Sequence, residues 1–204
     1  MTVTVIIIAV TCVVSFLAFR NRVLIDRLIL WSPAVKRGHE YWRLATYGLI
    51  HADGQHLLFN MITLFFFGQY IEPIYEGEIG VIGYVLFYAG ALVASILPSY
   101  AKNENNPNYR SLGASGAVSA VLFSFILIQP WAMIYVFFFP LPAIVYAVLY
   151  LGYSIYMDRR GQGNVNHSAH LWGAAYGVAF TLVMEPARFS AFFNALGHPS
   201  FGRF

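Results

Sequence analysis

The sequence predicts an all-α, polytopic membrane protein with six transmembrane helices, and three observations support this fold class. Of its 204 residues, 59% are hydrophobic, against about 45–50% in soluble domains. Only 10% are charged, against about 25% in soluble domains. The charges fall between long uncharged stretches, and a transmembrane helix needs about 20 mostly apolar residues. Together these features exclude an ordinary soluble domain and a disordered chain, and the single cysteine, Cys12, excludes an intrachain disulfide.

The uncharged stretches place the individual helices. The longest stretch, 111–157, is long enough for two helices, which Gln129 and Pro130 separate. The predicted transmembrane helices cover residues 2–19, 55–73, 80–98, 113–128, 133–156 and 168–185, in one domain of residues 1–204 with a tail at 186–204. No basic segment precedes the first helix and no small-residue cleavage pattern follows it, so we predict a retained helix and no signal peptide.

The first connection, residues 20–54, is the longest and is not simply polar. Aromatic residues such as Trp31, Trp42 and Tyr47 run through it, and aromatic rings settle at membrane interfaces. We therefore predict a long interfacial first loop, with an ordinary loop outside the membrane as the alternative.

Two prolines, Pro140 and Pro142, fall inside the predicted fifth helix. Because proline interrupts helical hydrogen bonding, they predict a bend in that helix. The bent helix either opens laterally beside the second helix or holds a static kink.

Polar residues at membrane depth are costly, and here they form three clusters. The clusters are His56 with Asn60, residues 113–116 with Ser119, and His167 with His170, Gly173 and Gly177. They open the second, fourth and sixth helices, which all start from the same side of the membrane. All three clusters are therefore expected at a similar depth below one face.

The residue types in these clusters suit acyl transfer. A serine needs a base to become a nucleophile, which makes Ser115 and His170 the candidate pair. Ser115 lies in the first turn of its helix, where backbone N–H groups have no intrahelical partner. The Asn60 amide and the His56 ring N–H can complete an oxyanion hole. The nearest later carboxylate, Glu185, is about 22 Å from His170 along a helix, so we predict a Ser–His dyad without a third residue.

At this point the residues resemble those of the rhomboid intramembrane serine proteases, over roughly residues 31–185. The matching motifs are Trp42-Arg43, His56-x-x-x-Asn60, Gly113-Ala114-Ser115-Gly116 and Ala169-His170-x-x-Gly173-x-x-x-Gly177. The resemblance implies a rhomboid-like bundle of the minimal six-span bacterial type. It implies an intramembrane serine endopeptidase that cleaves transmembrane helices of other proteins and needs no cofactor.

The resemblance also implies residue roles. Ser115 matches the nucleophile and His170 the general base, while His56, Asn60 and the Ser115 backbone N–H match the oxyanion stabilisers. The remaining matches have structural roles and are Trp42, Arg43, Glu72, Gly113, Gly116, Gly173 and Gly177.

One position departs from the family pattern. Many bacterial members carry an aromatic residue one turn after the nucleophile, where its ring packs on the catalytic imidazole. Here that position is Ser119, so we expect Trp172 or helix packing to hold His170.

Membrane orientation is predicted in opposite ways by charge and by resemblance. The first, third and fifth loops carry ten of the twelve Lys and Arg residues, which places these loops in the cytoplasm by the positive-inside rule. The resemblance implies the reverse: a bacterial inner (plasma) membrane protein with its termini inside and its active site open to the extracytoplasmic side. We follow the resemblance.

Other functional classes remain open. The main alternative is a catalytically silent rhomboid-like protein that binds or chaperones membrane helices. A second is a metal- or haem-binding bundle that uses His51, His56, His167 and His170. No Cys or Met stands beside these histidines, and no H-E-x-x-H motif is present, so we expect no metal. No basic run indicates nucleic acid. The expected partners are the lipid bilayer and a transmembrane-helix substrate.

Overall fold

The computed structural model describes residues 2–136, 138–161, 163 and 165–200, and these are mostly helical. The helices are α1 (Val3–Ala18), α2 (Arg22–Leu28), α3 (Ser32–Lys36), α4 (Arg43–Thr46), α5 (Gly54–Asn103), α6 (Ser115–Ile128), α7 (Ala143–Arg160), α8 (His167–Met184) and α9 (Ala187–Gly197), with a 3-10 turn at Tyr47–Leu49. The strands are β1 (Leu30–Trp31), β2 (Arg110–Ser111), β3 (Met133–Val136) and β4 (Phe139–Pro142). They form two antiparallel pairs, β1 with β2 and β3 with β4, so the described residues are not purely helical.

Helix α5 joins the second and third predicted helices in 50 residues. Both predicted helices are present, but the break between them lies at Gly80, and residues 74–79, predicted as a connection, are helical. Gly80 has φ 73° and ψ 170°, a backbone conformation that glycine adopts without steric cost. Glu72, within the predicted second helix, is buried there and bonded to α1.

The predicted fifth helix, 133–156, starts too early. Strands β3 and β4, residues 133–136 and 139–142, pair as a hairpin in which Met133 lies opposite Pro142 and Tyr135 opposite Pro140. Proline has no backbone N–H for a helix interior, so α7 begins only at Ala143. Both prolines therefore lie before the helix, and the expected proline bend within it is wrong.

Helix α6 is the centre of the bundle, and every residue from Gly116 to Leu127 is buried. It packs against α5 and α8. At its contact with α8 the backbones touch, since a Cβ added at Gly173 would lie 2.0 Å from the Gly116 carbonyl oxygen. A Cβ at Gly177 would lie 2.1 Å from the Ala120 carbonyl oxygen. Glycine at these positions is what allows the two helices to approach so closely.

The outer surface of the bundle is strongly apolar. Exposed large side chains occur on several helices and include Phe16, Phe66, Leu86, Val148 and Val183. Among the described residues, α5 is long and apolar enough to cross a membrane, while α1 and α6 are apolar but shorter. Exposed apolar surface of this extent is typical of a protein whose outer face contacts lipid.

The first loop is folded around a buried arginine. The Arg43 guanidinium donates hydrogen bonds to the carbonyl oxygens of Asp26 at 2.6 Å and Ile29 at 2.8 Å, and it pairs with Glu40 at 2.6 Å. These contacts tie α4 to the end of α2. Trp42, by contrast, is 56% exposed.

Glu72 joins α1 to the interior of α5. Its carboxylate accepts hydrogen bonds from the backbone N–H groups of Val3 and Thr4, the latter at 2.9 Å. A carboxylate at a helix N-terminus satisfies unpaired donors and complements the helix dipole.

The predicted tail contains α9, which lies against the end of α6. The indole N–H of Trp131 donates to the carbonyl oxygen of Ala195 at 2.8 Å. Residues 201–204 of the tail lie outside the described residues.

Candidate active site

The structure brings Ser115 and His170 together from two neighbouring helices. Ser115 Oγ and His170 Nε2 are 2.9 Å apart, a normal hydrogen-bond distance. Ser115 is the first residue of α6, and His170 lies in the first turn of α8. With Nε2 unprotonated, the serine hydroxyl donates to the imidazole, which is the arrangement a nucleophile and its base require.

The segment before Ser115 is held in an unusual conformation. Gly113 has φ +110°, which side-chain-bearing residues rarely adopt, and its N–H donates to the Tyr47 carbonyl oxygen at 2.9 Å. The His56 ring packs directly on this glycine, since a Cβ there would lie 2.5 Å from His56 Cε1. Gly113 therefore lets the His56 ring approach the start of α6.

The first turn of α8 is anchored by Asn166. Its side-chain oxygen accepts hydrogen bonds from the Ala169 N–H and from the Ser99 hydroxyl, both at 3.1 Å. Its side-chain nitrogen donates to the Tyr109 hydroxyl at 2.9 Å. This N-cap fixes the turn that carries His170 against the end of α5.

His51 also holds the nucleophile segment, although sequence reasoning considered it only as a metal ligand. Its Nε2 accepts the Ala114 N–H at 3.3 Å, so its Nδ1 carries the proton and donates to Ser15 Oγ at 3.0 Å. The Ser15 hydroxyl donates in turn to the Leu49 carbonyl oxygen at 2.9 Å. This chain of hydrogen bonds connects α1, the first loop and the residue before Ser115.

The chain of bonds requires a neutral His51. Burial, together with the neighbouring His56, lowers the pKa of His51 to about 3, and Asp53 opposes part of this shift. The His51 side chain is 2% exposed and lies outside the helices, between α1 and α5. It therefore keeps its hydrogen bonds throughout the physiological pH range.

The two candidate oxyanion residues lie beside Ser115 and His170. His56 and Asn60 line the same cavity as Ser115 and His170, an opening of about 1310 Å³. The Asn60 side-chain nitrogen donates to the His56 carbonyl oxygen at 2.9 Å, within the same helix. This bond fixes the amide next to the site and uses one of its two N–H donors.

The ring that packs on His170 comes from α7. Tyr150 stacks on the imidazole with 5.9 Å between ring centroids and 21° between planes. Trp172, which the sequence suggested for this role, is instead 51% exposed. His167, one turn before the base, is buried and packs edge-on against His170 at 5.6 Å.

The ionisable groups of the described residues can be compared with those of a catalytic triad and of a metal site. Among the described residues, the salt bridges include no histidine. Within the same residues, no group of three or more His, Cys, Asp or Glu side chains could hold a metal ion.

Comparisons with known proteins identify the family of the chain. The family description Rhomboid domain matches residues 38–187. The chain is 28% identical to the RHOMBOID-like protein 12, mitochondrial, of Arabidopsis thaliana over 188 residues, which cover 86% of this chain and 56% of that protein.

Two further relatives match shorter regions. YdcA of Bacillus subtilis, whose name marks it as a candidate rhomboid protease, is 33% identical over 97 residues, or 45% of this chain and 46% of that protein. Rhomboid-related protein 2 of Mus musculus is 30% identical over 102 residues, or 48% of this chain and 31% of that protein. The chain thus spans about half the length of the first two relatives and less of the third.

The bundle and its cavity define the class first: a helical protein with a strongly apolar outer surface and with a serine and a histidine in contact. The chain belongs to the rhomboid family, whose members are generally intramembrane serine proteases. This confirms the family suggested by the sequence motifs.

Proposed function

We propose that this protein is an intramembrane serine endopeptidase that cleaves transmembrane helices of other membrane proteins. The observation that carries the proposal is the 2.9 Å contact between Ser115 Oγ and His170 Nε2 inside an apolar bundle. Membership of the rhomboid family supports the same reaction class.

In the proposed reaction, Ser115 Oγ attacks the carbonyl carbon of the scissile peptide bond while its proton passes to His170 Nε2. The tetrahedral intermediate then expels the amine, which takes that proton. A water molecule, deprotonated by His170, hydrolyses the acyl-enzyme and restores the serine. The protein's part is to hold the serine and the imidazole in contact throughout.

The negative charge that develops on the carbonyl oxygen needs donors at the same place. We propose that the backbone N–H of Ser115, the Asn60 amide and the His56 ring supply them. Each is supported by its position on the cavity that contains Ser115. Removal of one such donor typically lowers kcat by about 10²–10³-fold.

We also propose six membrane crossings, with the fourth made by the buried α6. The length of α6, 14 residues, corresponds to about 21 Å, less than the roughly 30 Å of a hydrocarbon core. Its burial within the bundle supports this assignment, since the residues from Gly116 to Leu127 are surrounded by protein.

For the location, we propose a bacterial inner membrane, with the termini in the cytoplasm and the cavity open to the opposite side. A reporter fused at the C-terminus tests the orientation. A cytoplasmic signal supports it, whereas an extracytoplasmic signal contradicts it and agrees with the distribution of basic residues.

Cleavage of a single-span substrate in proteoliposomes tests the reaction. We expect Ser115→Ala and His170→Ala each to lower kcat by more than about 10³-fold. The matched controls are Ser190→Ala and His198→Ala, which change exposed residues on and after α9. Full cleavage by either dyad variant contradicts the proposal. Wild-type protein that neither cleaves nor reacts with a fluorophosphonate supports the silent-relative alternative.

A further inference from the structure

Tyr150 contacts both the candidate base and the helix that carries the candidate nucleophile. Its ring stacks on His170 with 5.9 Å between centroids and 21° between planes. Its hydroxyl is 2.7 Å from the hydroxyl of Ser119. Ser119 lies one helical turn after Ser115 on α6, so one side chain from α7 connects the helix of the nucleophile with the ring of the base.

The Tyr150 ring is itself held in place. Phe123 packs on it at 5.6 Å and 48°, and Tyr146 stacks on it at 5.6 Å and 28°. The bond to the buried Ser119 fixes the far end of the ring. A tyrosine restrained by two rings and a hydrogen bond presents a fixed face to the imidazole.

The imidazole needs such a face because its catalytic nitrogen must point at one atom. Rotation about χ2 turns His170 Nε2 away from Ser115 Oγ. Among the described residues no carboxylate forms an ion pair with His170, so no charged partner there restrains that rotation. An offset stack at this centroid distance favours one ring plane.

We propose that Tyr150 is the positioning residue for His170: its ring sets the plane of the imidazole, and Ser119 fixes the ring. The inference rests on the proposed function. It makes the alignment of the dyad depend on how α7 sits against α6 and α8.

The test separates the ring of Tyr150 from its hydroxyl. Steady-state cleavage of a single-span substrate in proteoliposomes is compared for wild type, Tyr150→Leu and Tyr150→Phe. Loss of the stack in Tyr150→Leu is expected to lower kcat about tenfold, or ~1.4 kcal/mol, with KM unchanged. Tyr150→Phe keeps the ring and is expected to lower kcat only about two- to threefold. Tyr156→Leu, on the exposed side of α7, is the matched control and keeps wild-type kcat.

Two results overturn the inference. One is an unchanged kcat in Tyr150→Leu, and the other is a raised KM with an unchanged kcat, which would mean that Tyr150 only lines the cavity.

If Tyr150→Leu does not fold, the inference is tested with Tyr150→Phe, Ser119→Ala and their double variant. Because each removes the same hydrogen bond, all three are expected to lower kcat by one common factor. Wild-type kcat in all three, or additive losses, overturns the inference. Ser115→Ala distinguishes failure of this inference from failure of the proposed function. If cleavage continues in Ser115→Ala, the reaction does not depend on Ser115, and the proposed function itself is wrong.

Discussion

Helices α8 and α7 both contact the candidate base, but they are held in the bundle in different ways. Helix α8 meets α6 backbone to backbone, at Gly173 and Gly177, and Asn166 caps its first turn. Helix α7 packs mainly on α8, exposes side chains such as Val148 and Leu149, and reaches the dyad through Tyr150. The base is thus carried by a tightly packed helix and aligned by a more loosely held one.

The largest expected effect comes from widening the α6–α8 contact. In Gly177→Val the new Cβ would lie 2.1 Å from the Ala120 carbonyl oxygen, so the helices must separate. We expect a loss of about 3 kcal/mol or more in the free energy of unfolding. Denaturation in detergent micelles measures it.

The matched control for this substitution lies on α7. A Cβ at Gly152 meets no atom within 4 Å. We expect Gly152→Val to change the free energy of unfolding by less than about 0.5 kcal/mol. Equal losses in the two variants would show that α7 is packed as tightly as α8.

The next effect is a pH dependence that arises at the start of α6. Because burial lowers the pKa of His51 to about 3 in the folded protein, against about 6.5 when unfolded, the unfolded state binds more protons between these values. Stability is complete above about pH 6.5 and falls as the pH decreases, by up to about 1.4 kcal/mol per unit.

Unfolding measured between pH 7.5 and 5 tests this titration, with His51→Gln for comparison. Glutamine can donate and accept hydrogen bonds but does not titrate in this range. We expect the variant to lose roughly 2 kcal/mol less than wild type over the interval. If the free energy of unfolding falls equally with decreasing pH in the two proteins, His51 does not cause the pH dependence.

The smallest effect is expected on the outer face of α7. Val148 is 66% exposed, so Val148→Ala removes few packing contacts and is expected to cost less than about 0.5 kcal/mol. The same substitution at Val121, fully buried on α6, is expected to cost about 2 kcal/mol. The ratio of the two losses in one denaturation assay measures how differently the helices are packed.

Much of the helical architecture could be predicted from where charges and apolar runs fall. The same reasoning identified Ser115 and His170 as candidates. Helices that enter the membrane from the same side place their first residues at a similar depth, and both residues lie near the start of such a helix. The structure puts these two side chains in contact.

The fifth helix shows the limit of this reasoning. Residues 133–142 are as apolar as a transmembrane helix, and hydropathy cannot distinguish an apolar hairpin from a helix. Pro140 and Pro142 did carry the signal, since their missing N–H groups disfavour a helix interior. The sequence analysis predicted that they bend the fifth helix, whereas they lie in the segment before it.

Tyr150 and His51 could not be assigned from the sequence for another reason. Tyr150 reaches His170 only because of the position and rotation of α7 against α8, which no local pattern specifies. His51 bonds to Ala114 and Ser15, residues distant in the chain, so its role depends on the folded first loop. A histidine in an apolar stretch, five residues before His56, was the one available signal.

The most direct measurement is fluorophosphonate labelling of the protein in lipid bilayers, with the labelled residue identified by mass spectrometry. If the Ser115–His170 contact forms the reactive dyad, the label lies on Ser115, disappears in His170→Ala and persists in His167→Ala. A label on another serine, or undiminished labelling of Ser115 in His170→Ala, contradicts the assignment of the dyad.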